Sequence, residues 1–168
     1  VITNKEEVCG DFEKLINMQL KEKHPKSWMR AFFNMGLINY IEGSRRMLPC
    51  QAGEMNFFVE PYGDIYPCNG LEKKYWKKSM GNIRETPNFK EIWEGEQAEQ
   101  VRQMVRRCPK NCWMVGTASP VMHKYIKYPL KWALKNKLRS LQGKTACLDK
   151  CWYNVGQDPS QGDLREVF

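Results

Sequence analysis

Cys50-Gln51-Ala52-Gly53-Glu54-Met55-Asn56-Phe57-Phe58-Val59-Glu60-Pro61-Tyr62-Gly63-Asp64-Ile65-Tyr66-Pro67-Cys68 is the stretch on which the fold turns. Met55 to Val59 is rich in residues that suit a pleated surface, and Pro61-Tyr62-Gly63-Asp64 is turn chemistry. Ile65-Tyr66 then returns as a short partner strand. The reading is a β-hairpin from Met55 to Pro67, with Cys50 before it and Cys68 closing it. A hairpin brings its ends together, so these two thiols approach one site despite the seventeen residues between them.

The flanks read as helix. Thr3 and Glu6 have capping-box spacing ahead of an apolar stripe at Val8, Phe12, Leu15 and Ile16. His24-Pro25-Lys26 interrupts, and Ser27 is placed to cap a second helix carrying Phe32, Phe33, Leu37, Ile38, Tyr40 and Ile41. Beyond the hairpin, helical signal resumes near Phe89-Ile92-Trp93 and strengthens from Gln97 to Arg107. From Val121 to Leu141, Met122, Ile126, Leu130, Leu134 and Leu138 recur at four-residue spacing. Lys124, Lys127, Lys131, Lys135, Lys137 and Arg139 cover the other face with no acid among them, and Pro129 starts or kinks this helix. The simplest expectation packs that stripe on the domain and leaves the lysines solvated. The other reading lays the helix on an anionic membrane surface, with Trp132 and Tyr125 or Tyr128 at headgroup level. The tail from Gly156 is polar and reads as loose.

The 168 residues amount to about one domain, 42% apolar, which excludes wholesale disorder. No run is long enough to span a membrane. Val1 leads straight into charged Asn4-Lys5-Glu6-Glu7, with no initiator Met and no signal peptide, so the chain reads as a piece of a longer protein. Twenty-seven basic against nineteen acidic residues give a net charge of +8, which favours anionic partners without naming one. Nucleic acid ranks last among them, for want of a motif. Two histidines, His24 and His123, leave little room for histidine catalysis. Glu6-Glu7 and Glu94-Glu96 read as solvated surface charge.

Seven cysteines without a secretory signal point to metal or cluster ligation rather than disulfides, and to a reducing cytoplasm. Cys108 and Cys112 flank one turn at a helix end, where both thiols can chelate locally. With Cys50 and Cys68 they make four thiolates at turns or element ends, a set suited to Zn²⁺ or to an iron–sulfur cluster. Softness alone does not choose between the two. Cys9 sits mid-helix and reads as core. Cys147 and Cys151 form a second pair with the same three-residue gap, a candidate second site that lacks two ligands.

With these residues in place, the chain resembles the auxiliary-cluster domains of radical SAM enzymes, the SPASM domain and its shorter relative, the twitch domain. Cys50, twelve residues, Gly63, four residues, Cys68 is similar to the signature that opens them. Gly81-Asn82-Ile83, Asn88-Phe89-Lys90-Glu91-Ile92-Trp93 and Cys108-Pro109-Lys110-Asn111-Cys112-Trp113 resemble later landmarks in the same order. The resemblance covers Leu48 to Trp113. A full SPASM domain carries further cysteines and a second cluster, so the closer likeness is to a twitch domain with one [4Fe-4S] cluster held by Cys50, Cys68, Cys108 and Cys112.

The resemblance implies an α+β fold, mostly helical, with a small β-hairpin that helps cage the cluster. Residues 1–47 would then end, or lead from, a missing radical SAM barrel; 48–116 would form the cluster domain; 117–168 would be the basic helix and tail. Trp93 and Trp113 would shield the cluster from water, and ligation would be part of what folds the domain. S-adenosylmethionine would bind only in the missing core, because the Cys-x3-Cys-x2-Cys motif that cleaves it is absent. Val115 follows the Cys108 pair and Asn154 the Cys147 pair where a third cysteine would stand. This chain alone is therefore not expected to be catalytic. Its partners would be that barrel and a peptide, sugar or cofactor-precursor substrate. The rival reading is a zinc-binding interaction module.

Overall fold

Helices form where the apolar stripes predict them, and the strands between are short. The computed structural model describes residues 3–69, 78–108 and 110–148. In chain order its elements are α1 (Lys5–Lys21), α2 (Pro25–Ile41), β1 (Phe58–Val59), β2 (Asp64–Tyr66), β3 (Gly81–Asn82), α3 (Phe89–Glu94), α4 (Glu96–Arg106), α5 (Val115–Lys124) and α6 (Lys127–Leu141). This is an α+β fold, mostly helical, with one three-stranded antiparallel sheet in the order β1-β2-β3. Two units divide the chain. Among the described residues, one joins the chain up to 48 with 111–148, and the other lies between 49 and 110. Pro109, Cys151 and the tail from Gly156 lie outside the described residues.

The first unit is helical. α1 packs on α2, and α6 on both. Ile16, Leu20, Phe32, Met35, Trp113 and Trp132 are the larger members of its core, and α5 adds Ala118, Val121 and Met122. Cys9 packs at the edge of that core, in accord with its mid-helix reading. Both N-terminal caps differ from the sequence expectation. α1 starts after Asn4, whose side chain bonds Glu7 (3.1 Å) in place of the Thr3–Glu6 box. His24 caps α2, its Nδ1 accepting from the Lys26 N–H (3.2 Å), because Pro25 fits the first helical turn. Ser27 is already inside the helix, buried and donating to Glu22.

The basic helix is two helices. Pro129 has no N–H to give the Tyr125 carbonyl four residues back, so that carbonyl accepts from Tyr128 instead (3.0 Å) and the chain breaks at Tyr125–Ile126. Upstream, α5 begins at Val115, earlier than expected, and accommodates Pro120 within it. The larger correction concerns which face of α6 is buried. Pro129, Trp132, Ala133 and Asn136 face the core, and the four-spaced stripe of Ile126, Leu130, Leu134 and Leu138 is exposed. Trp132 is 2% exposed and is not available at a headgroup level.

The second unit has smaller cores. Ile65, Met80, Ile92, Ala98 and Val101 form one, with Trp93 against it. Ala52 and Val105 form the other, bordered by Cys50, Tyr66 and Cys68.

Candidate metal centre

The hairpin is tighter than the apolar run suggested. β1 and β2 pair Phe58 with Tyr66 and Val59 with Ile65, and Gly63 turns the chain at φ +93°, a conformation that favours glycine. The Gly63 N–H donates to Glu60 O (2.8 Å), and Glu60 N–H to Asp64 O (2.9 Å). β3, which the sequence reading did not include, adds Asn82 opposite Asp64 and Gly81 opposite Ile65. Asn82 is the staple. Its Nδ2 donates to Tyr62 O (3.2 Å) and Asp64 Oδ1 (3.1 Å), and its Oδ1 accepts from Arg84 N–H (2.8 Å). Asn88 caps α3, accepting from the Lys90 N–H (3.1 Å).

Two further contacts bring the hairpin's ends together. The loop after Cys50 curls back with Gly53 N–H on Asn56 O (2.8 Å), and Asn56 Nδ2 donates to Pro67 O (3.2 Å), next to Cys68. Arg102 on α4 then fastens that loop. It donates to Gly53 O (2.8 Å) and Trp93 O (2.5 Å), and its guanidinium lies 4.8 Å from the Trp93 ring centroid. Trp93 itself stacks on Phe89 (5.5 Å) and meets Phe57 edge-on (5.6 Å). One turn along α4, Arg106 pairs with Glu54 (3.2 Å) and Glu99 (3.1 Å); the bond to Glu54 holds its guanidinium above the ordinary value.

Cys50 and Cys68 both pack against the Ala52–Val105 core, and the Cys108 N–H bonds Val105 O (3.0 Å) where α4 ends. Two of the four predicted thiols, Cys50 and Cys68, thus border one small core of the second unit, and the Cys108 backbone follows three residues after Val105 of that core. All three cysteines are half-buried, as is Cys112.

Cys112 belongs to the first unit, where its segment is held firmly. Arg46 is buried and donates to Cys112 O, to Leu48 O (2.9 Å) and to Thr117 O (3.4 Å). Asn111 donates to Tyr40 O (3.2 Å) and Ser44 O (3.0 Å), and Trp113 Nε1 to Phe33 O (2.8 Å). The Trp113 indole, expected as a shield, is committed to this core. Sequence reasoning missed Arg46 because Ser44-Arg45-Arg46 reads locally as solvated charge, and two of these three partners stand 66 and 71 residues away. Cys147 donates its N–H to Asn136 Oδ1 (2.6 Å). Its pairing with Cys151 falls outside the described residues.

Among the described residues, no three His, Cys, Asp or Glu side chains converge on the point a single metal ion would occupy. A zinc–thiolate tetrahedron, with bonds of about 2.3 Å, needs sulfurs almost in contact. An iron–sulfur cluster places each thiolate on a separate iron and so accepts donors further apart. The donor set is thiol throughout, at the ends of elements and partly withdrawn from water, which fits such a cluster.

Residues 50–114 match the family model SPASM, an iron–sulfur cluster-binding domain. The match opens on Cys50 and contains the hairpin, Asn82, α3, α4 and the Cys108–Cys112 turn. Over these residues the chain is similar to a SPASM domain, which supports iron–sulfur cluster binding. No curated protein and no solved structure matches it.

Proposed function

We propose that the chain is the auxiliary-cluster part of a radical SAM enzyme and holds one [4Fe-4S] cluster through Cys50, Cys68, Cys108 and Cys112. The observation that carries this reading is the packing of Cys50 and Cys68 on the one core of Ala52 and Val105, with the Cys108 backbone bonded to Val105 O, inside the segment that matches the cluster-binding family. When bound, such a cluster supplies one-electron redox chemistry or an iron site for a ligand. Four protein thiolates leave no iron open, so electron transfer or structural support is favoured over direct substrate ligation.

The protein's own contribution is position. Gly63, Asn82 and Asn56 fix the ends of the hairpin; Arg102 ties the Cys50 loop to α4; Arg46 and Asn111 fix the backbone beside Cys112. Radical generation from S-adenosylmethionine belongs to a separate barrel, which is the proposed partner along with a peptide, sugar or cofactor-precursor substrate. Thiolate-bound iron suits a reducing cytoplasm.

Changing each cysteine to alanine in turn tests the ligand set. After anaerobic reconstitution, Cys50→Ala, Cys68→Ala, Cys108→Ala and Cys112→Ala should each lose most of the bound iron and its visible charge-transfer absorbance, whereas Cys9→Ala and Cys147→Ala should keep both. Full iron content in any of the first four would remove that residue from the set. Iron lost with Cys147→Ala would bring the Cys147–Cys151 pair into ligation.

A further inference from the structure

α6 carries three sectors where an ordinary packed helix carries two. At 100° per residue, Pro129, Trp132, Ala133 and Asn136 share the sector turned to the core. Ile126, Leu130, Leu134, Leu138 and Leu141 form a second, with 44%, 44%, 46%, 61% and 72% of their surfaces exposed. Lys127, Lys131 and Lys135, all exposed, border that stripe on the side away from the core. Lys137 falls in the core-side part of the stripe sector and reaches across to close the end of α1, donating to Leu20 O (2.7 Å) and Glu22 O (2.8 Å).

Charge selects the occupant of this face. From Gln100 to Leu148 the sequence has no aspartate or glutamate. On α5 and α6 themselves the apolar stripe therefore runs beside basic side chains and no acidic ones, and the complement of that helix face is anionic. The spacing also argues against a second helix. From Ile126 to Leu138, steps of four residues advance the stripe by about 40° each and spread it over about a third of the circumference, whereas a helix–helix seam alternates three and four, and only the last step, to Leu141, is of three. A broad apolar band edged with lysine suits a fluid interface, with lysine stems lying along the band and their ammonium groups at headgroup level. Tyr125 and Tyr128, half-buried at the start of α6, sit under Lys124 (5.9 Å) and Lys127 (5.1 Å), an amphipathic pairing suited to the same depth. No helix among the described residues is long and apolar enough to cross a membrane, so the contact would lie along the surface.

We propose that α6 docks the chain on an anionic lipid surface, with Leu130, Leu134 and Leu138 in the acyl boundary and Lys127, Lys131 and Lys135 against the headgroups. The proposal is independent of the metal centre, which lies outside α6.

The test is co-sedimentation of the reconstituted 168-residue chain with phosphatidylcholine vesicles, with and without phosphatidylglycerol, at low and high salt. Binding should require phosphatidylglycerol and weaken about tenfold at high salt. Leu134→Ser with Leu138→Ser should weaken it by about tenfold or more, as should Lys127→Gln with Lys131→Gln and Lys135→Gln. All these side chains are exposed, so iron content and circular dichroism should not change, which separates lost docking from lost folding. Absence of binding, equal binding to both vesicle types, or full binding by the leucine variant would overturn the proposal. So would lipid-free dimerisation that the leucine variant abolishes, since the face would then belong to a second copy.

Discussion

Gly36→Ala should destabilise the helical unit by about 2 kcal/mol. A Cβ at Gly36 would lie 2.1 Å from both Cε2 and Nε1 of Trp113, far inside van der Waals contact. The indole has nowhere to go. Its Nε1–H is bonded to Phe33 O (2.8 Å), it stacks on the Phe33 ring (6.2 Å) and meets Phe32 edge-on (6.4 Å). Arg46 lies 5.7 Å from its ring centroid. Overpacking a core in this way costs about 3 kcal/mol, against which alanine regains about 1 kcal/mol of helix propensity. Because Trp113 adjoins Cys112, the variant should also retain iron less well. Urea unfolding followed by circular dichroism checks the first effect; stability equal to the parent chain would mean that Trp113 is not seated on Gly36.

The second large effect concerns the metal. The helical unit closes on Phe32, Met35, Trp113, Trp132 and several leucine-sized side chains, whereas the other unit relies on Ile65, Met80, Ile92, Val101 and Val105 with two alanines. A domain with so small a core needs a staple, and ligation energy is folding energy where the ligands gather only on folding. Stripping the reconstituted chain with a chelator under reducing conditions should therefore collapse amide protection in residues 49–110, while α1, α2 and α6 keep theirs. Hydrogen exchange resolved by peptide gives the comparison. Unchanged protection of β2 and α4 in the stripped chain would show that the metal is not structural.

What the sequence disclosed follows the range of the forces involved. The hairpin and its turn at Gly63 depend on neighbours within a few residues or across one turn, and both were legible. So was the Cys108 turn at the end of α4. The helix starts were misread by one to three residues because Thr3, Asn4, His24 and Ser27 are all acceptable caps, and Pro25 decides between the last two. β3 is two residues long and exists only because β2 is there to pair with it.

The buried face of α6 was the main misreading, and its cause is instructive. The leucine stripe is the stronger apolar pattern, but Trp132 fills more volume and Ala133 lets α6 approach closely. Asn136, fully buried, is satisfied through Trp132 O (3.1 Å) and the Cys147 N–H (2.6 Å), so it does not penalise that face. Periodicity locates an apolar stripe; it does not say what covers it. The same holds for Arg46, whose role comes largely from the Cys112 and Thr117 carbonyls, distant in the chain.

The central claim is that four thiolates hold one iron–sulfur cluster, and its most direct test is the metal content of the chain reconstituted without oxygen. Quantifying iron, acid-labile sulfide and zinc should give about four irons and four sulfides per chain, with no zinc. About eight irons would add a second cluster and draw in Cys147 and Cys151. One zinc with neither iron nor sulfide would contradict the account and make the chain a metal-stapled interaction module.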